Sequence, residues 1–268
     1  MSSLIVGSTS QLSHYFPKSF ERISSRDYSA ALDRSWDSVY ICFGENRTYL
    51  ANSMDRSVAS LFYKVNCDMV VEAVEAFVPI AKRVVVYSTA ELWNDTCGGV
   101  SPSMPHQFKS NHYIMSKYAM TMKLRDKKSY PNVSVAYPFN FNGVYRSGDF
   151  LFGKVFDSIL NAKPIVLGDT YYYRDILHPS MAAIESMSHE VGEDFMIGSG
   201  RVVFVNDLIR ELYKQFDLSY SDMVEERWES PSHYRNRIFY SANPCRNPTN
   251  QTVFELMVRE LKGASNES

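Results

Sequence analysis

Residues 4–16 read LIVGSTSQLSHYF. Three apolar residues run into Gly7, and small polar side chains follow where a dinucleotide-binding turn carries two more glycines. A strand that ends on one glycine opens a phosphate-binding turn in a parallel sheet, but a strand running into a polar loop looks the same over this length. Pro17 arrives within two turns, so any helix after Gly7 is short. The surrounding chain has to decide between the two readings.

Working outward, SLIVG (3–7), SVYICFG (38–44) and RVVVYSTA (83–90) are continuous apolar runs, the pattern of strands covered on both faces. Between the last two, Val70, Val74, Phe77 and Val78 recur at helical spacing, which predicts an amphipathic helix over about 66–80. Strand, helix, strand is a βαβ unit. A helix over about 110–126 and the strand NVSVAY (132–137) continue the alternation.

After Pro138 the pattern becomes a polar loop, PFNFNGVYRSGD (138–149), then a helix in 150–163, the strand PIVLG (164–168) and a helix opened by Pro179. Asn206 reads as the cap of a helix in NDLIRELYKQF (206–216), a last helix covers about 250–262, and the tail GASNES (263–268) reads as disordered. The pattern therefore predicts an α/β protein: a Rossmann-like doubly wound parallel sheet over 1–140 and a smaller mixed α/β substrate lobe over 141–268, interleaved with the first. Such sheets bind ligands at the carboxyl ends of their strands, where the strand order reverses.

Composition narrows the function. The 268 residues carry a net charge of −2 with both signs mixed, and no basic stripe suits a nucleic-acid backbone. No apolar run is long enough and charge-free enough to cross a bilayer, and Gly7, Ser8 and Thr9 interrupt the early one that a signal peptide would need. Cys42, Cys67, Cys97 and Cys245 lack CxxC spacing and fit reduced thiols in a cytoplasm. Neither they nor the six histidines have the spacing of a metal site.

On the helix after residue 110, HYIMSKYAM places Tyr113 and Lys117 four residues apart on one face. A phenol ordinarily titrates near ~10, and a neighbouring cation lowers that value toward neutrality. An isolated YxxxK pair is as readily a solvated helix face. Here YSTAELW lies some twenty residues upstream and sets Ser88 and Thr89 at the carboxyl end of a buried strand, where a hydroxyl can bond the same substrate oxygen as the tyrosine.

The order VVVYSTAELW, YIMSK, AYPFNFNGVY and GDTYYYRDILHP, from residue 4 to about 184, resembles the extended short-chain dehydrogenases, specifically the NAD-dependent epimerase/dehydratase family acting on nucleotide sugars. The resemblance implies that Tyr113 is the acid/base, that Lys117 lowers its pKa and holds the nicotinamide ribose, and that Thr89 polarises the reacting oxygen. It further implies that Asn140 contacts the nucleotide sugar and that Arg174 binds its diphosphate. At the cofactor turn it aligns Gly7, Ser10 and Ser13 with the family's three glycines, and a serine hydroxyl can donate to a phosphate.

The departures are as informative. Dehydratases of this family carry threonine, aspartate, glutamate where this chain has Thr89, Ala90 and Glu91, so elimination of water is not expected; Glu91 is either an active-site acid or a charged loop residue. In RISSRDY (22–28), Arg26 beside Ser24 and Ser25 suits an adenosine 2′-phosphate, which favours NADP(H) over NAD(H), with Asp27 weighing the other way. Tyr137 stands where the family commonly has arginine. Tyr171, Tyr172 and Tyr173 either stack on a base or pack against the lobe.

These residues predict NAD(P)-dependent reduction of a keto nucleotide sugar in deoxysugar or surface-polysaccharide biosynthesis. A nucleotide-sugar epimerase is the alternative, and a non-catalytic Rossmann-like binding protein the alternative of another class. A Cys/His nucleophile built from Cys97 with His106 or His112 has no evident acid partner, and His112 reads more readily as a neighbour that tunes the tyrosine. Family members often form homodimers through the YxxxK helices, and YAMTMKL (118–124) is apolar enough for that or for the core.

Overall fold

The computed structural model describes residues 2–228, 231, 235, 237–245 and 252–265. In chain order, β1 (Ser3–Val6), β2 (Glu21–Ile23), β3 (Ser38–Ile41), α1 (Arg56–Tyr63), α2 (Met69–Phe77), β4 (Val84–Tyr87), β5 (Gly98–Val100), α3 (His112–Lys123) and β6 (Val133–Pro138) make up the first half. The second half contains β7 (Asn140–Phe141), α4 (Leu151–Asn161), β8 (Ile165–Leu167), β9 (Tyr173–Leu177), α5 (Pro179–Ser188), β10 (Phe195–Ile197), β11 (Val202–Phe204), α6 (Val205–Lys214), α7 (Tyr220–Met223), β12 (Val224–Glu226), β13 (Phe239–Ser241) and α8 (Val253–Ser265).

The chain divides into two compact units, one of residues 1–95, 101–138 and 183–197, the other of residues 96–100, 139–182 and 198–268. The first holds a six-stranded sheet in the order β10-β6-β4-β3-β1-β2, parallel at every pairing. Leu4, Ile5, Val6, Val84, Val85 and Val86 are wholly buried, as strands covered on both faces must be. From β1 the chain steps to β2 on one side and then to β3 on the other, so the order reverses between β1 and β3. Their carboxyl ends form the crevice where a doubly wound sheet takes its ligand.

Two crossovers depart from the expected pattern. Only a five-residue 3-10 turn, Gln11–Tyr15, follows β1, and only a four-residue one, Tyr28–Ala31, lies between β2 and β3. The crossover from β3 to β4 is instead longer than predicted. It starts at residue 56, where the Asp55 carboxylate accepts from Ser57 N at 2.8 Å, and passes through a π-helical turn, Lys64–Asp68, into α2. Phe62, Asn66, Val70 and Val74, each four residues apart, are all buried, because the wider π turn absorbs the drift that this spacing accumulates in an α-helix.

The second unit contains the sheet β11-β9-β7 and the parallel pairs β8 with β12 and β5 with β13. Phe152, Phe156 and Ile159 of α4 pack with Ile209, Leu212 and Tyr213 of α6 and with Met257 and Leu261 of α8. Two local expectations are corrected here. Asn206 does not cap α6: it lies one residue inside the helix, and its amide donates to the Thr170 hydroxyl at 2.8 Å and the Tyr220 hydroxyl at 3.2 Å. Gly263, Ala264 and Ser265 of the tail continue α8; residues 266–268 lie outside the described residues.

The predicted boundary at residue 140 falls beside the break at 138/139, but residues 183–197 belong to the first unit. Strand β10 completes its sheet, with Phe195 opposite Ala136, and the Asp194 carboxylate fixes the junction by accepting from Val135 N and Lys127 Nζ, at 2.8 and 2.7 Å.

Candidate active site

At the end of β1, Gly7 has φ of +103°, and a Cβ there would lie 2.8 Å from Phe43 N. Glycine is thus required both by backbone conformation and by the close approach of the loop after β3. Several backbone N–H groups of the turn point inward. Gly7 N and Ser8 N donate to the Ile23 carbonyl at 2.9 and 3.1 Å, Ser10 N to Gly7 O, and Ser13 N to Ser10 O. The Ser13 side chain is fully buried, with its hydroxyl 2.7 Å from both Ser8 O and Ser10 O. The hydroxyl that the sequence offers to a phosphate is therefore committed within the turn, while Ser10 Oγ accepts from Ser13 N at 3.2 Å.

Arg22 secures the same turn from β2. Its guanidinium donates to the carbonyls of Ser13, Phe16, Pro17 and Phe20, the shortest contact being 2.8 Å to Phe20. Past the end of β2, Arg26 is exposed, and its backbone N–H is bonded to Ser24 Oγ at 3.1 Å.

The chemical groups gather on the β4 side. Thr89, nearly buried, follows the end of β4 and caps the turn Ala90–Trp93 by accepting from Glu91 N at 3.2 Å. Glu91 is half-buried, and its carboxylate accepts from Asn94 Nδ2 at 3.1 Å. Ser88 pairs with the Thr121 hydroxyl at 2.8 Å. The next strand, β6, carries Tyr137 near its end, buried edge-on to Trp93 at 5.1 Å.

Helix α3 starts where Asn111 Oδ1 accepts from Ile114 N, and it presents Tyr113 and Lys117 one turn apart. The Tyr113 ring stands edge-on to Phe62 at 6.2 Å. Lys117 is 6% exposed, and its ammonium donates to the Tyr87 carbonyl at 2.8 Å. Burial pushes its pKa down to about 8.

Asn66, which the sequence reading passed over, ties these pieces together from the π turn. Its Oδ1 accepts from Glu45 N at 2.7 Å, and its Nδ2 donates to Glu45 O and to Ser116 Oγ at 2.9 and 3.1 Å. Ser116 Oγ in turn donates to Tyr113 O at 2.7 Å. A Cβ on Gly44 would lie 2.9 Å from Asn66 Oδ1 and 3.3 Å from Lys117 Nζ, so Gly44 keeps open the space in front of the lysine. The available signal was an asparagine four residues before Val70, on the apolar stripe itself.

The His106 ring lies among Trp93, Tyr118 and Tyr137, where burial lowers its pKa. His112 Nε2 is 2.9 Å from Ser53 O, and Cys97 is exposed. Among the described residues, no three His, Cys, Asp or Glu side chains gather to hold a metal.

In the second unit, Asn140 is exposed on β7, opposite Ile176 of β9. Arg174 is buried, its guanidinium 5.6 Å from the Phe239 ring and 6.0 Å from that of Tyr172. The neighbouring Asp175 is wholly buried and accepts from Ser199 N and Oγ, Gly200 N and Ser241 N, at 2.6–3.1 Å. Burial raises its pKa while those bonds pull it down. Tyr171 donates to Glu226 and Tyr172 packs on the lobe's core, whereas Tyr173 is 41% exposed.

No family model and no curated protein matches this sequence. Solved structures do match along its whole length. RMD from Pseudomonas aeruginosa, complexed with NADPH, superposes with a TM-score of 0.78 at 13% identity, covering 100% of both chains. DesIV, the dTDP-glucose 4,6-dehydratase from Streptomyces venezuelae with NAD bound, gives 0.76 at 18% identity over 98% of this chain and 96% of its own. UDP-glucose 4-epimerase from Thermotoga maritima, with UDP-glucose, gives 0.74 at 16% identity over 98% and 99%. The chain shares the Rossmann-like fold of these structures. Other structures that share it include dTDP-glucose 4,6-dehydratase from Bacillus anthracis in complex with NAD and UDP-glucuronic acid 4-epimerase from Bacillus cereus in complex with UDP-glucuronic acid and NAD.

A nicotinamide cofactor fits this crevice unevenly. Lys117 suits its nicotinamide ribose, a buried cation facing a space beside Gly44 that a Cβ would close. The inward-turned groups after Gly7 offer its adenosine half much less.

Proposed function

We propose that this protein is an NAD(P)-dependent oxidoreductase that reduces a keto group on the sugar of a nucleotide sugar, with NADP(H) as its preferred cofactor. The observation that carries this reading is Lys117: a buried ammonium beside Gly44, one helical turn from Tyr113, at the strand ends that also bear Thr89. The cofactor, when bound, supplies or accepts hydride at the sugar carbon. Tyr113 exchanges the proton of the resulting hydroxyl, and Thr89 orients the oxygen. Lys117 holds the ribose hydroxyls and stabilises the tyrosinate form. Asn66 is a positioning residue that fixes the Glu45 loop against the start of α3.

The choice of reduction rests on Ala90, which puts a methyl group where a dehydratase needs a proton donor, and on Arg26, exposed at the end of β2 to meet a 2′-phosphate. RMD, the NADPH-bound neighbour, supports the same choice. Asn140 and Arg174 are assigned to the sugar and diphosphate, and Glu91 to the sugar. We place the protein in the cytoplasm as a homodimer. Leu61 and Tyr63 of α1 and Met115 and Met122 of α3 are exposed apolar side chains, and they form the face assigned to the second copy.

Replacing Tyr113 with Phe should lower kcat by about 100-fold or more while cofactor affinity stays within about twofold; an undiminished kcat refutes the assignment. The epimerase alternative makes a different demand, because its cofactor must stay bound through both half-reactions. NAD that copurifies with the protein favours the epimerase, and an apo protein that consumes NADPH on a panel of keto sugar nucleotides favours the reductase.

A further inference from the structure

We infer that this site recognises the nicotinamide mononucleotide half of its cofactor and gains little from the adenosine half. The inference rests on the cofactor reading above and concerns how that cofactor is held. A dinucleotide crevice usually sets a glycine-rich turn and a helix N-terminus under the pyrophosphate, with strands 3-2-1 on the adenosine side of the switch point. This chain lacks both provisions. The segment after β1 leads into a five-residue 3-10 turn, and along it the N–H groups of Gly7, Ser8, Ser10 and Ser13 donate to protein carbonyls. The Ser13 hydroxyl is buried against Ser8 O and Ser10 O.

Arg22 of β2 spends its guanidinium on four carbonyls of the same segment, whereas Lys18, nearer the turn in sequence, is exposed. Among the described residues the sheet ends at β2, three residues long, with no third strand outside it to wall an adenine. Lys18 and Arg26 remain as exposed cations, and an exposed ionic contact changes affinity by only a few-fold. The nicotinamide side is built in contrast from buried groups: Lys117 at 6% exposure, Thr89 at 5%, and Gly44 held open against Asn66 and Lys117.

The test is equilibrium binding to the full-length apo protein, followed by energy transfer from tryptophan to the reduced nicotinamide and by calorimetry. The probes are NADPH, NADH, reduced nicotinamide mononucleotide and 2′,5′-ADP. The inference expects the reduced mononucleotide to bind within about tenfold of NADPH, and NADPH within about tenfold of NADH. It also expects 2′,5′-ADP at millimolar concentration to leave NADPH in place, and Lys117→Met to abolish binding of all three nicotinamides. A mononucleotide more than about tenfold weaker than NADPH, or displacement of NADPH by 2′,5′-ADP, overturns the inference and leaves the proposed function standing. If no reduced nicotinamide binds at all, the proposed function falls with it.

Discussion

Lys117 shows how one residue can oppose the fold it serves. Its pKa, pushed down from 10.5 to about 8 by burial, means that the charged form weakens the folded state below pH 8. That cost, about 3 kcal/mol from the shift, is relieved as pH rises from about 8 to about 10.5, because over this range the unfolded chain binds more protons. Lys117→Met should therefore stabilise the apo protein by about 1–3 kcal/mol at pH 7, with the gain shrinking at pH 10; urea unfolding at both values measures it. Gly7→Ala should act oppositely, costing about 2–3 kcal/mol through a positive φ and a contact with Phe43 N. An unchanged urea midpoint would contradict the close approach of the β1 and β3 loops. The positions of Gly7 and Thr89 after strands, and of Tyr113 and Lys117 on one helix face, were legible from strand pattern and helical spacing, while their roles came from the family resemblance. The inward turn of Ser13 was not, since the direction of a hydroxyl depends on how its loop closes.

At the level of elements, the helical run 56–77 is the informative case. Its second half was readable from Val70, Val74 and Phe77, whereas the first half follows another register, because a π turn displaces the apolar stripe and breaks the 3.6-residue period. Asn66 sits in that turn, wholly buried, with both ends of its amide bonded. Asn66→Ala strands Glu45 N–H and C=O, and should cost about 2–3 kcal/mol in chemical denaturation. If the π turn positions α3 as described, kcat should also fall with little change in the KM for cofactor. A variant with altered stability and unaltered kcat would reduce Asn66 to a structural role. The 3-10 turn after β1 was half legible: Pro17 announced its shortness, but nothing local announced that Arg22 would hold it closed.

For the whole molecule, alternation of strands and helices sufficed to name a doubly wound sheet, because burial on both faces leaves its mark in every long strand. It did not place β10. Three residues, Phe195, Met196 and Ile197, carry no signal of their partner, and only the sheet's unfilled edge at β6 recruits them. The proposed homodimer is testable at this scale. The double substitution Met115→Glu and Met122→Glu should shift the sedimentation coefficient from dimer to monomer while leaving the far-ultraviolet circular dichroism intact. An unshifted dimer would move the interface off α1 and α3.

The late arrival of β10 also sets a timetable for the nascent chain. After Pro138 emerges, about 60 residues must be added before Ile197 can close the sheet, which takes about 3–12 s at ordinary rates of synthesis. Throughout that interval the β6 edge presents unpaired N–H and C=O groups, a template for any other strand. A growing chain of this protein thus passes through a window in which its most regular sheet is also its most adhesive surface, and that window is closed by three residues.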